Sequence, residues 1–450
     1  MACCFFFVSG DNIPQILVAV VVALTVAQIL IEKLRWQMAP VYVVAGILIV
    51  MTCVCPQPSR TWVKLLLFAI TVIVVVLCGS LAWIVPVFTL PEPTGEYGVG
   101  TATYCWTDPS RDEIFSVDPS EKRQIVAQIW YPSREKIKRG EPYVADSRKF
   151  SANLARFLSA NGSLKVPSFA FSHFSLVHTH AASCTAAAEG VFPVVVFASG
   201  LGGFRQSNMV QVEELVSQGF VVVGLDQPYV SVSVTLVDGT IPGLSKAAVQ
   251  PVIDQSLVPK SQPPVLNGVP LPEGIIGYLV EDISFVISRL ETLNHKDPLL
   301  QGHLDMSGVG AFGVSLGAMV VGESCLKDSR LQACLMMDAA MPAPVAADGL
   351  SKPALWITRP ISDIRLEQER SGGWSEHDIE LQVSTMEAAC EKSTAFKAIT
   401  YIPGMFHIDF TDAGYYLRFG PQLGLTGSAG HRGSRQLTTQ CVDFFQQHLR

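Results

Sequence analysis

Hydrophobic and polar positions divide this chain into two parts. Three uncharged, strongly apolar runs open it, at residues 13–31, 40–55 and 65–88. A helix needs about 20 apolar residues to span a bilayer; the first and third runs meet that length and the second is near its lower limit. No Lys or Arg precedes Lys33, so the charged start of a cleavable signal peptide is missing. The pattern predicts a transmembrane region over residues 1–90 with about three helices. Residues 89–100 are rich in Pro and Gly and read as a linker. Residues 91–450 read as a single folded domain.

Past the linker the apolar runs shorten. Ile125–Pro132 alternates as a strand does and stops at a proline. Phe192–Ala198 is a continuous apolar run, the signature of a strand buried on both faces. Phe220–Leu225, Gly308–Val314, Ala333–Met337, Ala354–Thr358 and Ala398–Ile402 follow in the same style. Helical patterns lie between them at 206–218, 276–293 and 434–448; in the second, Leu279, Phe285, Val286 and Leu290 fall on or near one face. Residues 133–190 are polar with helical patches, and residues 240–273 are Pro-rich and irregular. The first of these excursions is long enough to cover a cleft. Strands alternating with helices predict an α/β fold with a doubly wound, mostly parallel sheet. Such sheets bind ligands outside the carboxyl ends of their strands.

Charge divides along the same line. The whole chain carries −7, and residues 1–90 hold four Lys/Arg against two Asp/Glu, which leaves −9 for residues 91–450. An acidic domain argues against nucleic acid as a partner. Lys33 and Arg35 oppose Arg60 and Lys64 across three spans, so basic residues between the spans do not orient them. No Lys or Arg then appears until Arg111, which favours an extracytoplasmic domain on an integral membrane protein. Trp83 and Phe88 read as interfacial anchors or as ordinary packing. Of 11 cysteines, six lie in the acidic part without C-x-x-C spacing. Cys3 and Cys4 are candidates for acylation. Asn161-Gly162-Ser163 is a glycosylation sequon. His178 and His180 form an H-x-H pair that no nearby carboxylate or cysteine completes, so neither a metal nor another cofactor is expected.

The candidate chemistry centres on Gly313-Val314-Ser315-Leu316-Gly317, a G-x-S-x-G turn between an apolar strand and a helix. Such a turn exposes a serine at its tip, and side chains at the glycine positions would collide with neighbouring backbone. A Gly-rich loop, Gly200-Leu201-Gly202-Gly203, follows an earlier buried strand, where a second backbone N–H for an oxyanion belongs. A serine nucleophile needs a base, and the base needs an orienting acid. Of the four histidines after the turn (His377, His407, His431 and His448), only His407 follows a strand through a Pro-Gly loop. For the acid, Asp338 and Asp363 each follow a strand, and spacing does not choose between them. Asp409 and Asp412 are close to His407 in sequence but are expected to point elsewhere.

The domain resembles the platelet-activating-factor acetylhydrolase family of secreted and bacterial type, with an α/β-hydrolase fold. The likeness rests on Pro93-Thr94-Gly95, Val99-Gly100-Thr101, Gln128-Ile129-Trp130-Tyr131-Pro132, Gly200-Leu201-Gly202-Gly203-Phe204-Arg205, the serine turn, Met337-Asp338-Ala339 and Phe406-His407-Ile408-Asp409-Phe410-Thr411-Asp412. It implies Ser315 as nucleophile, Asp338 as acid and His407 as base, with the N–H groups of Leu201 and Leu316 as oxyanion hole. It also implies calcium-independent removal of short or oxidised sn-2 acyl groups from phospholipids. Ser199, Val314 and Ala318 depart from the residues frequent in the family at these places. No departure removes a triad member or backbone donor; each reshapes the surroundings of the acyl group. The expected partners are therefore an ester substrate, a phospholipid first, and the lipid bilayer. The alternatives are a general carboxylesterase of cutinase or dienelactone-hydrolase type and a non-catalytic membrane scaffold on the same fold.

Overall fold

The computed structural model describes residues 13–53, 61–162, 165–236, 238–416 and 418–450. Cys3, Cys4 and Ser163 of the sequon lie outside these residues. The chain begins with helices α1 (Ile13–Glu32), α2 (Ala39–Cys53) and α3 (Thr61–Ile84). Strands β1 (Gly98–Asp112) and β2 (Lys122–Ser133), helix α4 (Ser147–Asn161), strands β3 (Ala181–Ser183) and β4 (Phe192–Ala198), helix α5 (Met209–Ser217) and strand β5 (Val221–Asp226) come next. A hairpin of β6 (Ser233–Leu236) and β7 (Gly239–Pro242) leads into α6 (Lys246–Leu257), then a small hairpin of β8 (Val265–Leu266) and β9 (Val269–Pro270), then α7 (Ile276–Lys296). The remaining elements are β10 (Leu304–Val314), α8 (Leu316–Lys327), β11 (Leu331–Met337), α9 (Ala343–Asp348), β12 (Ala354–Thr358), α10 (Ile361–Ser371), α11 (Glu376–Lys392), β13 (Lys397–Tyr401) and α12 (Gly430–Leu449).

Nine strands form one sheet in the order β13-β12-β11-β10-β4-β5-β2-β1-β3. β5, β4 and β10 to β13 run parallel, and β2 pairs antiparallel with both β5 and β1. The parallel strands are the continuous apolar runs of the sequence, because helices cover both of their faces. One core layer joins the sheet to α7 and α8, with Leu279, Ile283, Val286 and Val321 buried in it. The other joins it to α5 and α12 through Val212, Leu215, Leu437 and Phe445. The chain runs from β4 outward to β5, then returns to place β10 on the other side of β4. That reversal is the switch point at which an open α/β sheet parts its loops and leaves a crevice.

Two readings of the sequence change here. β1 starts at Gly98, so what reads as the end of a linker is already sheet. The irregular stretch 240–273 contains α6, with Pro251 inside the helix.

The membrane expectation is corrected. Among the described residues no helix is long and apolar enough to cross a membrane. Helix α2 has 15 residues and rises about 22 Å, against about 30 Å of hydrocarbon. The described helices thus do not support an integral-membrane placement, transmembrane helices or an extracytoplasmic domain. The N-terminal segment is tied to itself through Gln37 and to the domain through Trp36 and Trp83. Gln37 donates to the Val85 carbonyl at 3.2 Å, and Trp36 Nε1 to the Ala170 carbonyl at 3.2 Å. The Trp83 and Phe419 rings meet edge to face at 4.7 Å. Phe88 is buried among Tyr143, Phe174 and Tyr416, so its role is packing and not interfacial anchoring.

Candidate active site

Register carries the strand ends of the switch point to one edge. Gly313 pairs with Ala198, Val314 with Met337, Met337 with Ile357 and Thr358 with Tyr401. The residues just past these positions therefore emerge side by side. Ser315 sits in the turn from β10 to α8 with φ 57° and ψ −125°, a conformation that L residues rarely adopt. Its N–H donates to the Met337 carbonyl at 2.9 Å, which holds the turn against β11. The flanking glycines are required by contact. A Cβ on Gly313 would stand 2.3 Å from the Gly317 carbonyl oxygen, and one on Gly317 2.0 Å from that of Ala198.

Asp338 follows β11, also at positive φ (48°), and is buried. Its Oδ2 accepts the His407 Nδ1 proton at 2.7 Å. Its Oδ1 accepts from Thr358 Oγ1 at 2.8 Å and Gln382 Nε2 at 3.1 Å. Burial pushes this carboxyl upward, but the Arg359 guanidinium and the bond from His407 outweigh it and hold it at about 2. A carboxylate bound to Nδ1 fixes the tautomer and leaves Nε2 free to accept a proton. Ser315, His407 and Asp338 line one cavity of about 420 Å³.

The other candidates are engaged elsewhere. Asp363 accepts the Gly404 N–H at 2.8 Å, at the loop that carries His407. Asp409 accepts the N–H groups of Phe406 and Gly427 at 2.7 and 2.6 Å, and burial raises it to about 6. Asp412 caps α5, accepting from Met209 and Val210 N–H at 2.7 and 3.2 Å, and burial raises it to about 8. His180 binds Glu213 at 2.8 Å and His178 the Gly140 carbonyl at 2.8 Å, so the H-x-H pair is divided between two partners. His431 stacks on Tyr415 and His448 lies against Phe396 and Phe444.

The Gly-rich loop after β4 runs directly under the serine. A Cβ on Gly200 would meet Ser315 Cβ at 3.0 Å. Leu201 and Leu316 both line the cavity, and among the described residues neither N–H donates to an acceptor within the chain. The cavity roof comes from the two excursions and from the segment between α10 and α11. Phe157 and Asn161 end α4, Lys246, Ile253 and Leu257 belong to α6, and Trp374 precedes α11. Asn161 of the sequon also accepts the Lys246 N–H at 2.9 Å, so its side chain caps α6.

Sequence reasoning missed the groups that surround the acid. Thr358, Arg359, Glu367, Trp374 and Gln382 all approach the Asp338–His407 pair. One signal was available for Arg359: it directly follows an apolar strand, as Ser315 and Asp338 do.

Comparisons with known proteins agree with this layout. Residues 85–240 match the model of the family described as platelet-activating factor acetylhydrolase, isoform II. That match includes the loop at Gly200 and ends before Ser315. The platelet-activating factor acetylhydrolase of Cavia porcellus is 23% identical over 288 residues, which are 63% of this chain and 62% of that protein. The chain thus spans somewhat under two thirds of that relative's length. Among solved structures, a ferulic acid esterase from Streptomyces cinnamoneus superposes with a TM-score of 0.59 at 23% identity, over 81% of this chain and 94% of its own. That likeness establishes the α/β-hydrolase fold. The matched stretch, residues 85–240, and the Cavia porcellus relative support a place for this chain beside the platelet-activating factor acetylhydrolase family.

Proposed function

We propose that this protein hydrolyses carboxylic esters through an acyl-enzyme on Ser315. The observation that carries the reading is the short bond from His407 Nδ1 to a buried, ionised Asp338, beside a serine held in a strained turn on the same cavity. His407 Nε2 takes the Ser315 proton as Oγ attacks the ester carbonyl. Asp338 stabilises the imidazolium that forms. The N–H groups of Leu201 and Leu316 receive the oxyanion, and the N-terminus of α8 adds its dipole. His407 then protonates the departing alcohol. A water activated by the same nitrogen releases the acid.

Within that class, the substrate proposed first is a phospholipid carrying a short or oxidised sn-2 acyl group, on the strength of the family. The cavity supports it: Phe157, Ile253, Leu257 and Met319 give apolar wall, and Lys246 supplies a cation for a phosphate. A second reading is a general carboxylesterase. It is favoured by the esterase neighbour and by Trp374 and Phe157, which can flank an aromatic acid.

The test is hydrolysis by the full chain of two phosphatidylcholines, one with an sn-2 acetyl group and one with a long sn-2 chain, beside an aryl acetate. Preference for the sn-2 acetyl lipid, lost in Ser315→Ala, is expected. Cleavage of the aryl ester alone would move the function to general carboxylesterase. Turnover unchanged in Ser315→Ala would end the mechanism.

A further inference from the structure

The scheme above makes no use of Arg359, although it is fully buried directly behind the acid. Its guanidinium reaches every support of His407. Nε stands 3.1 Å from Asp338 Oδ2, the oxygen that also receives the His407 proton. Nη1 pairs with Glu367, whose Oε2 accepts the His407 backbone N–H at 3.0 Å. The guanidinium carbon lies 5.5 Å over the Trp374 ring, and that ring meets the His407 imidazole edge to face at 4.9 Å. Among the described residues neither Nε nor Nη2 has an aligned hydrogen bond. A buried cation satisfied so sparingly costs stability. Its contacts all converge on the base.

We propose that Arg359 is a positioning residue that ties the acid, the His407 loop and Trp374 into one unit and, with Glu367, sets how readily His407 takes a proton. The proposal rests on the hydrolase reading. Its logic is a charge count. Asp338 and Glu367 face His407 with two negative charges, and Arg359 returns one. Removing Arg359 leaves two, which favours the imidazolium. Neutralising Glu367 leaves none, which disfavours it. Asp409 on the turn of His407, Asp363 on α10, Asp378 on α11 and Lys246 and Asp254 on α6 also stand near the site or line the cavity. They are the same in both variants, so opposite shifts isolate the Arg359–Glu367 pair.

The experiment measures kcat and KM for p-nitrophenyl acetate against pH in the full chain, Arg359→Met, Arg359→Lys and Glu367→Gln, with thermal melting to confirm folding. Arg359→Met is expected to lose about 100-fold in kcat with KM little changed, a scale set by small misplacement of a reacting group. Its acid limb rises by about one pH unit, while that of Glu367→Gln falls. Arg359→Lys keeps the limb in place but recovers only part of kcat, because an ammonium cannot span both carboxylates. A folded Arg359→Met with unchanged kcat, or limbs that move the same way in the two charge variants, would overturn the proposal. Where Arg359→Met does not fold, the direction of the Glu367→Gln limb and the Lys variant decide alone. Fluorophosphonate labelling of Ser315 in the unmodified chain tests the hydrolase reading separately. Without labelling, the titration of the downfield His407 Nδ1 proton by NMR still reads the Arg359 effect.

Discussion

Two buried ion networks lie on opposite halves of the sheet, and one of them borders the cavity that Ser315 lines. In the first, Arg123 on β2 bonds Glu113 at 2.8 Å and Asp282 of α7 at 2.6 Å. Arg111 bonds the same Asp282 at 2.8 Å and Asp108 at 2.7 Å, and Gln227 adds a bond to Asp282 at 2.8 Å. Every member is fixed by another, and the network joins the β1–β2 hairpin to α7. In the second, Asp338, Arg359 and Glu367 surround an imidazole whose side chain is 25% exposed. The comparison teaches that buried, paired charge is not by itself a sign of chemistry. What distinguishes the second network is an imidazole bonded through Nδ1 to the buried acid, whose Nε2 has no hydrogen-bond partner among the described residues and which shares a cavity with a strained serine.

The contrast can be broken from either side. The largest expected effect is Ser315→Ala, which should lower kcat by about 10⁶-fold while the melting temperature stays close to that of the unmodified chain. Steady-state rates with calorimetry check both halves. Asp338→Asn leaves the shape but presents the wrong group to Nδ1, and kcat should fall about 10⁴-fold. Arg123→Met inverts that pattern. Breaking a buried pair should cost about 3–5 kcal/mol in urea unfolding, with kcat per folded molecule unchanged. If Arg123→Met instead impaired turnover at full stability, the two networks would not be separable. Gly200→Ala comes next: its Cβ, 3.0 Å from that of Ser315, should displace the oxyanion loop and cost about 100-fold in kcat/KM.

The smallest effect is a pH slope. Asp412 is raised to about 8 by burial, so the folded chain keeps a proton that the unfolded chain releases near pH 4. The folded state then binds more protons between about pH 4 and 8, and this carboxyl's contribution makes stability fall as pH rises through that window. Asp338 has the opposite sign. Held at about 2, its contribution is present above about pH 4 and lost as pH falls toward 2. Asp412→Asn should flatten the first slope and leave the second, as measured by urea unfolding at a series of pH values.

Much of the parallel half of the sheet was legible because burial on both faces writes itself as unbroken apolar runs. Phe192–Ala198 and Ala354–Thr358 were read to the residue. Ser315 and His407 stand out as candidates by their strand ends, whereas strand ends leave Asp338 and Asp363 equal and only the family resemblance favours Asp338. β1 was harder. Gly100 reads as linker, yet it is needed because a Cβ there would stand 2.2 Å from the Tyr131 ring across the hairpin. Close approach and turning use the same residue. α6 was hidden by Pro251, and its cavity role depends on packing against α4 that no local pattern encodes. Arg359 was missed because a charged residue before proline reads as surface. Its burial depends on Asp338 and Glu367, brought to it by separate elements. The N-terminal runs show the converse: apolar composition alone led to a membrane expectation that the described helices do not support.

The most direct test of the account is a pre-steady-state reaction of the full chain with p-nitrophenyl acetate, followed by mass spectrometry of the quenched protein. The account predicts a burst of one equivalent of nitrophenol and an acetyl group on the peptide that contains Ser315, both absent in Ser315→Ala. A burst that persists in that variant, or an acetyl group on another residue, would contradict it.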